Sequence, residues 1–316
     1  MKPTRRAVLQ SAIALAAARA ATPHWKPKVG VYCRYSPDNA AFAAQEGFTC
    51  LQIAVGGELG NDATDEQIAG VKRNLAARGL TISALNGGGN HLNPNVQQSF
   101  VKTIELAGRL GVSFIGTSSG AIAGQTLDQQ VEAIVKLYEA QYFPACEKHK
   151  VRILWEPYVN PGNIATSPVA FAALLKAFND SPYVGIQMDP SHLVWQMIDP
   201  VAATREFAAH IYNVHLKDTE ILWPIVQRGG IQPLDNAKWW RFRLPGNGSI
   251  DWKGFFTALA DAGYSGGLNI ENEDNFYYPN YEGQNFTEAF KEGFRIAHAY
   301  VRQFVPPGPG SAPPAR

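Results

Sequence analysis

The chain has 316 residues, 46% of them hydrophobic, and a formal net charge of +1. That length bounds the fold to one or two domains with ample material for a large core, and so small a charge gives no basic face and speaks against nucleic acid as a partner. Its three cysteines, Cys33, Cys50 and Cys146, lack any CxxC spacing, which speaks against a redox pair, a zinc knuckle or a disulfide framework and reads as buried apolar packing.

In chain order, Thr4-Arg5-Arg6-Ala7-Val8-Leu9-Gln10 precedes the apolar stretch Ser11-Ala12-Ile13-Ala14-Leu15-Ala16-Ala17, and small residues surround Arg19 in Ala18-Arg19-Ala20. A charged start, a short apolar run and a small-residue end read as a secretory signal over residues 1–20. The paired arginines are similar to a twin-arginine signal, with Val8 and Gln10 standing where Phe and Lys are usual. A periplasmic or secreted protein is the expectation. The other reading is an alanine-rich first helix of the mature fold. The apolar run is too short to span a bilayer, so no stable membrane insertion is expected.

Eight short apolar or β-branched runs follow: Val29–Cys33, Thr49–Val55, Thr81–Leu85, Ser113–Thr117, Val151–Trp155, Tyr183–Met188, Ile211–His215 and Gly267–Ile270. Continuous apolar runs of this length suit strands buried on both faces. Helical stretches separate them. Thr64-Asp65-Glu66-Gln67 reads as a capping box opening a helix that Gly79 closes. Asn93-Pro94 opens another, which Gly111 ends. Leu127–His149, Asp251–Ala262 and Asn285–Phe304 complete the set. Strict βα alternation predicts an α/β fold, a single (β/α)8 TIM barrel over residues 28–304. A doubly wound open sheet is the rival, but no GxGxxG follows the first strand. Between His215 and Asp251 the connection, with Trp223, Trp239, Trp240, Arg241 and Arg243, is too long for an ordinary βα turn, and long barrel loops carry function. The proline- and glycine-rich residues 305–316 read as a disordered tail.

In such a barrel the polar residues at strand C-termini are the candidates for chemistry. Glu156 ends the fifth strand, Asp189 the sixth, His215 the seventh and Glu271 the eighth. Taken singly, a glutamate there reads as a helix cap or surface ion pair, and a histidine as a satisfied core residue. Four on successive strand ends read together as a site. Three carboxylates and an imidazole make a hard, oxygen-rich set suited to Mn²⁺, Mg²⁺ or Co²⁺, and one that also admits Zn²⁺. A dication offsets the repulsion among the carboxylates and keeps them ionised. Aromatic residues in the predicted top-face loops, Trp195, Trp223, Trp239, Trp240, Tyr277 and Tyr278, offer flat surfaces to a sugar or anchor the loops. In Asn86-Gly87-Gly88-Gly89-Asn90-His91, after the third strand, Asn86 and His91 are candidate substrate contacts; the glycines are no phosphate cradle, since no P-loop lysine follows.

The segments Asp189-Pro190-Ser191-His192-Leu193-Val194-Trp195-Gln196, His215-Leu216-Lys217-Asp218, Trp239-Trp240-Arg241-Phe242-Arg243-Leu244-Pro245-Gly246, Gly248-Ser249-Ile250-Asp251-Trp252 and Ala262-Gly263-Tyr264-Ser265-Gly266 resemble the xylose isomerase-like barrels, the sugar phosphate isomerase/epimerase superfamily, over nearly the whole of residues 28–304. The resemblance implies that Glu156, Asp189, His215 and Glu271 bind one divalent metal, Mn²⁺ by preference. It makes Glu156 and Glu271 the catalytic pair and His192 a substrate contact beside the metal; Trp195 and Lys217, in the same segments, are further candidate substrate contacts. Many sugar epimerases carry an arginine just after the His-x-Lys-Asp motif; here Thr219-Glu220 follows, and Arg241 or Arg243 is expected in that role. Where close relatives often read Glu-His-Glu-Asp-Pro, this chain has Glu271-Asn272-Glu273-Asp274-Asn275.

What the resemblance implies for function is a metal-dependent sugar isomerase or epimerase that removes a proton next to a carbonyl and proceeds through an enediolate. The expected partner is a small sugar or keto-glycoside, unphosphorylated if the protein is exported. The same site allows β-elimination, so a 3-keto-glycoside lyase is the alternative. A non-catalytic carbohydrate-binding barrel is a third reading, although binding alone needs no matched acid/base pair. Endonuclease IV-type enzymes share the barrel but need more metal-binding histidines and basic loops, against seven histidines and near-zero charge here. Whether copies of the chain form a homo-oligomer is left open.

Overall fold

Residues 25–278 and 286–305 are described by a computed structural model. The signal expected at residues 1–20 lies outside them, as does the expected tail apart from the buried Val305. The eight apolar runs form β1 (Lys28–Arg34), β2 (Cys50–Ala54), β3 (Thr81–Asn86), β4 (Phe114–Thr117), β5 (Arg152–Trp155), β6 (Val184–Met188), β7 (Ile211–Leu216) and, after an inserted hairpin, β10 (Gly267–Ile270). They pair in chain order and close into a barrel, every pair parallel, with Val31 of β1 opposite Ile270 of β10.

Local chemistry sets the helices between strands. The helix Asp65–Ala76 carries the full capping box: Thr64 accepts from the Gln67 amide, and the Gln67 side chain accepts from the Thr64 amide at 2.8 Å. Asn93 caps the helix Pro94–Leu110, and Gly111 ends it in the left-handed region at φ 77°. Three further helices, Pro37–Gln45, Pro168–Ala177 and Pro200–Phe207, each start on a proline behind Ser36, Ser167 or Asp199, an order suited to a helix start.

The single helix expected over Leu127–His149 is interrupted. A π-helical turn, Tyr138–Tyr142, joins the α-helices Leu127–Leu137 and Phe143–His149. Pro144 has no N–H to give the carbonyl four residues back, and the Phe143 amide instead reaches back to the Tyr138 carbonyl. The widened turn buries both Tyr138 and Tyr142 completely.

The long connection after His215 is ordered, not loop throughout. β8 (Asp218–Ile221) and β9 (Trp240–Arg243) form an antiparallel hairpin with Thr219 opposite Phe242, and the short helix Trp223–Gly229 lies between them. The barrel interior also departs from the apolar expectation. Gln52, Gln187, Asn213 and Asn269 are all fully buried inside it. Gly116 makes room for one of them: a Cβ there would lie 2.2 Å from Gln187 Oε1. Gly116→Ala is therefore expected to destabilise the barrel by about 1–3 kcal/mol through overpacking. Urea unfolding of the two proteins measures it, and an unchanged midpoint would show that the Gln187 amide has room to shift.

Candidate metal centre

Glu156, Asp189 and Glu271 each stand one residue past the end of β5, β6 and β10, and His215 is the fifth residue of β7. These strands are neighbours, so the four side chains meet at the carboxyl end of the barrel, where each offers a ligand atom and all four atoms lie within 4.8 Å of one another. Glu156 and Glu271 come from the two ends of this arc, with Asp189 and His215 between them. His215 Nδ1 is 2.9 Å from Glu156 Oε1, 3.0 Å from Glu271 Oε2 and 3.8 Å from Asp189 Oδ2.

The donor chemistry fits a metal ion. His215 Nδ1 and Asp189 Oδ2 are buried and find no neutral hydrogen-bond partner, only the charged groups of the cluster and Lys217. Buried polar atoms are rarely left so unless something else satisfies them. Asp189 Oδ1 is held in place by the Ser191 amide at 2.9 Å and the Ser191 hydroxyl at 2.6 Å, which leaves Oδ2 to face the cluster. Three carboxylates and one imidazole could hold a divalent cation.

The charges of the cluster act on one another at close range. Burial opposes a charge on His215, but Glu271 and Glu156 outweigh it and hold the imidazole well above its usual range. Burial also raises the Glu271 carboxyl, but Lys217 and then His215 overcome it and hold it far below the ordinary range. Asp189 goes the other way: burial dominates over the pull of Lys217 and raises it. The pocket thus calls for positive charge, which a proton on His215 supplies when no cation is present.

Around the cluster, Lys217 is 2% exposed and its ammonium meets Glu271 Oε2 at 2.7 Å, Glu273 Oε2 at 2.7 Å and Asp189 Oδ2 at 3.2 Å. Burial works against its charge, but these carboxylates keep it protonated well above its ordinary value. Lys217, expected as a substrate contact, thus stands at the cluster with its ammonium against three carboxylates. His192 lies 3.4 Å from Asp189 Oδ2 between Tyr158 and Phe242, and burial, then Lys217, lowers its pKa to about 3, so it is neutral at physiological pH. Asn86 donates to the Tyr32 hydroxyl at 3.0 Å, and the Tyr32 ring packs 5.1 Å from that of His215. Trp195 stacks on Trp240 at 4.7 Å, and Phe242 bridges Trp240 to His192.

His91 does not reach the site. It is fully buried, with Nδ1 2.6 Å from the Tyr138 hydroxyl and Nε2 3.0 Å from Thr117 Oγ1. The π turn supplies that tyrosine, so the expected substrate contact is instead a packing histidine. Arg241 and Arg243 also find protein partners. Both pair with Glu220, and Arg243 also pairs with Asp274 at 2.9 Å, tying β9 to the segment after β10. These pairs account for the charge of Arg243, only 16% exposed, while Arg241 stays a third open to solvent.

Several residues were missed in the sequence. Asp218, fully buried, accepts from Trp252 Nε1 at 2.7 Å and from the Thr219, Gly246 and Ile250 amides. It fastens the base of the hairpin to the next helix. Glu273 pairs with Lys217. Beneath the cluster, Gln187 Nε2 donates to Glu156 Oε2 at 3.0 Å and Gln52 Oε1 lies 2.9 Å from His215 Nε2. The signal for these two was a lone amide inside an apolar strand.

The family model described as a xylose isomerase-like TIM barrel matches residues 40–296. The uncharacterized protein YfiH of Bacillus subtilis is 29% identical over 300 residues, 81% of this chain and 94% of that protein. An inosose dehydratase of Clostridium tetani is 35% identical over 102 residues, 32% of this chain and 34% of the dehydratase, so the match spans about a third of each. Among solved structures, a D-psicose 3-epimerase superposes with a TM-score of 0.66 at 17% identity, covering 88% of this chain and 99% of that one. The 3-keto-D-glucoside 4-epimerase YcjR of E. coli gives 0.65 at 14% identity, covering 88% and 100%. At these identities the two structures speak to the fold alone.

Proposed function

The chain belongs to the xylose isomerase-like TIM barrel family, and from that premise we propose that it is a divalent-metal-dependent sugar isomerase or epimerase, Mn²⁺ being the preferred ion, that moves a proton at the carbon beside a carbonyl. The observation that carries this reading is the pair Glu156 and Glu271, which flank the cluster from the two ends of a four-strand arc. A cation bound by Glu156, Asp189, His215 and Glu271 would act as a Lewis acid toward the carbonyl and acidify the neighbouring C–H. One glutamate removes that proton and the other returns one from the far side, which inverts the carbon. Lys217 holds Glu271 through Oε2 and leaves Oε1 free of that contact. Neutral His192 can both donate to and accept from a sugar hydroxyl. Trp195, Trp240 and Phe242 offer aromatic faces to sugar C–H groups, and Asn86 and Arg241 stand as further substrate contacts.

A second reading, β-elimination from a 3-keto-glycoside, has one observation in its favour. Glu156 engages both oxygens, Oε1 toward His215 and Oε2 with Gln187, whereas Glu271 Oε1 has no hydrogen bond among the described residues. One open carboxylate suffices for an elimination. The partial match to inosose dehydratases points the same way.

Solvent deuterium exchange followed by NMR tests both readings, with Mn²⁺-loaded protein and a panel of ketoses and 3-keto-glycosides. Deuterium beside the carbonyl with an inverted product supports epimerisation, and an unsaturated product supports elimination. Neither exchange nor turnover in protein that holds metal would overturn the proposal and favour a carbohydrate-binding barrel. We also propose export through the twin-arginine route on residues 1–20. Changing Arg5 and Arg6 to lysine is expected to leave the protein in the cytoplasmic fraction, and an unchanged periplasmic pool would refute it. No helix of the described residues is long and apolar enough to cross a membrane.

A further inference from the structure

Two amide side chains under the cluster link Glu156 to the far side of His215, and their hydrogen bonds can run in one direction only. An ionised carboxylate only accepts hydrogen bonds, so the Gln187 group 3.0 Å from Glu156 Oε2 is its NH₂. Gln187 Oε1 then faces inward, 2.8 Å from Gln52 and 2.8 Å from Asn213, and both must donate to it. Gln52 therefore turns its NH₂ to Gln187 and its Oε1 to His215 Nε2, 2.9 Å away.

The remaining partners lock this sense. Asn213 Nδ2 gives its second hydrogen to Gln52 Oε1 at 2.6 Å, and Asn213 Oδ1 accepts from Asn269 at 2.9 Å. Ser83 donates to Asn269 Oδ1 at 2.9 Å and closes the chain. No single amide can turn over without setting oxygen against oxygen or N–H against N–H, and all four amide residues are fully buried, so no water offers an easy substitute. His215 Nε2 must then carry the hydrogen of the neutral ring. The lone pair is left at Nδ1, the atom that faces Glu156, Glu271 and Asp189.

We propose that Gln187 and Gln52 are positioning residues through which Glu156 fixes the tautomer of His215, so that the ring binds metal through Nδ1. The inference rests on the metal-dependent reading above. It makes one ligand the director of another across the barrel, in place of independent supports. Groups that orient metal ligands in this way typically account for about 10–100-fold in metal affinity.

The test uses the full chain, Gln52→Met and Gln187→Met, which keep length and remove the hydrogen bonds. Competition with a chelator gives Mn²⁺ affinity, and circular dichroism checks folding. The ¹⁵N spectrum of the Zn²⁺-loaded protein, with the His215 ring assigned by its loss in His215→Asn, reports which ring nitrogen carries hydrogen. The expected result is an Nε2–H ring bound through Nδ1, and about 10–100-fold weaker Mn²⁺ binding in each folded variant. The ¹⁵N spectrum needs no amide variant, so it decides even if a substitution unfolds the barrel. A ring protonated at Nδ1 and bound through Nε2, or unchanged affinity in folded variants beside tight binding by the wild type, would overturn this inference alone. A wild type that takes up neither ion would overturn it together with the metal-dependent reading.

Discussion

Glu271→Gln is expected to slow proton exchange at the substrate carbon by about 10²–10⁴-fold, the usual contribution of a positioned general acid or base. The amide keeps the size of the side chain and its contact with Lys217 but has no basic oxygen at neutral pH. It also takes one negative charge from a cluster in which Lys217 and His215 already lean on Glu271, so weaker metal binding is expected as well. Measuring exchange at saturating Mn²⁺ separates the two effects. A variant that is fully loaded and still exchanges at the wild-type rate would remove Glu271 from the chemistry. Glu156→Gln provides the comparison. If both glutamates transfer protons, both variants fail; if only Glu271 does, Glu156→Gln loses metal affinity but regains exchange at high Mn²⁺, as the elimination reading requires.

Stripping the protein with a chelator is expected to abolish turnover and to change how stability depends on pH. In the stripped protein the folded-state pKa of His215 lies well above its unfolded value of about 6.5. A group raised on folding stabilises fully below its unfolded value, and the gain is lost as pH rises through the folded one. The stripped protein should therefore lose stability as pH climbs above about 6.5. A bound cation replaces the proton, so the loaded protein escapes this loss. Cation binding itself adds about 3 kcal/mol at a hundredfold excess over Kd. The gap in melting temperature between loaded and stripped protein should widen from about pH 6 to about pH 9. Thermal melts with and without Mn²⁺ measure it, and a gap that is constant or shrinks would show that cation and proton do not compete at His215.

The barrel and its cluster were legible because both rest on local patterns. A buried parallel strand must be a continuous apolar run, and the residue just past it is where a barrel presents chemistry, so Glu156, Asp189 and Glu271 stood out. What lay underneath was harder to read. Gln52, Gln187, Asn213 and Asn269 look like flaws in apolar runs, and only pairing across the barrel shows that each answers another. His91 misled for the opposite reason. A glycine-rich loop after a strand points to a substrate, but the π turn imposed near Pro144 brought Tyr138 to its ring. Arg241 and Arg243 were expected as substrate contacts because their partners are distant in the chain: the hairpin register brings Glu220 to both, and the segment after β10 brings Asp274 to Arg243.

The inserted hairpin is held firmly at its foot and scarcely at its tip. Asp218 binds the Gly246 and Ile250 amides and the Trp252 indole, and Arg243 is clasped by Asp274, whereas Leu234 near the far end is wholly exposed. The segment between Leu222 and Trp239 can thus be lengthened, shortened or exchanged without disturbing the strands that carry the cluster. Descendants of this scaffold could acquire new surfaces by rewriting one replaceable module while inheriting the four-residue cluster intact.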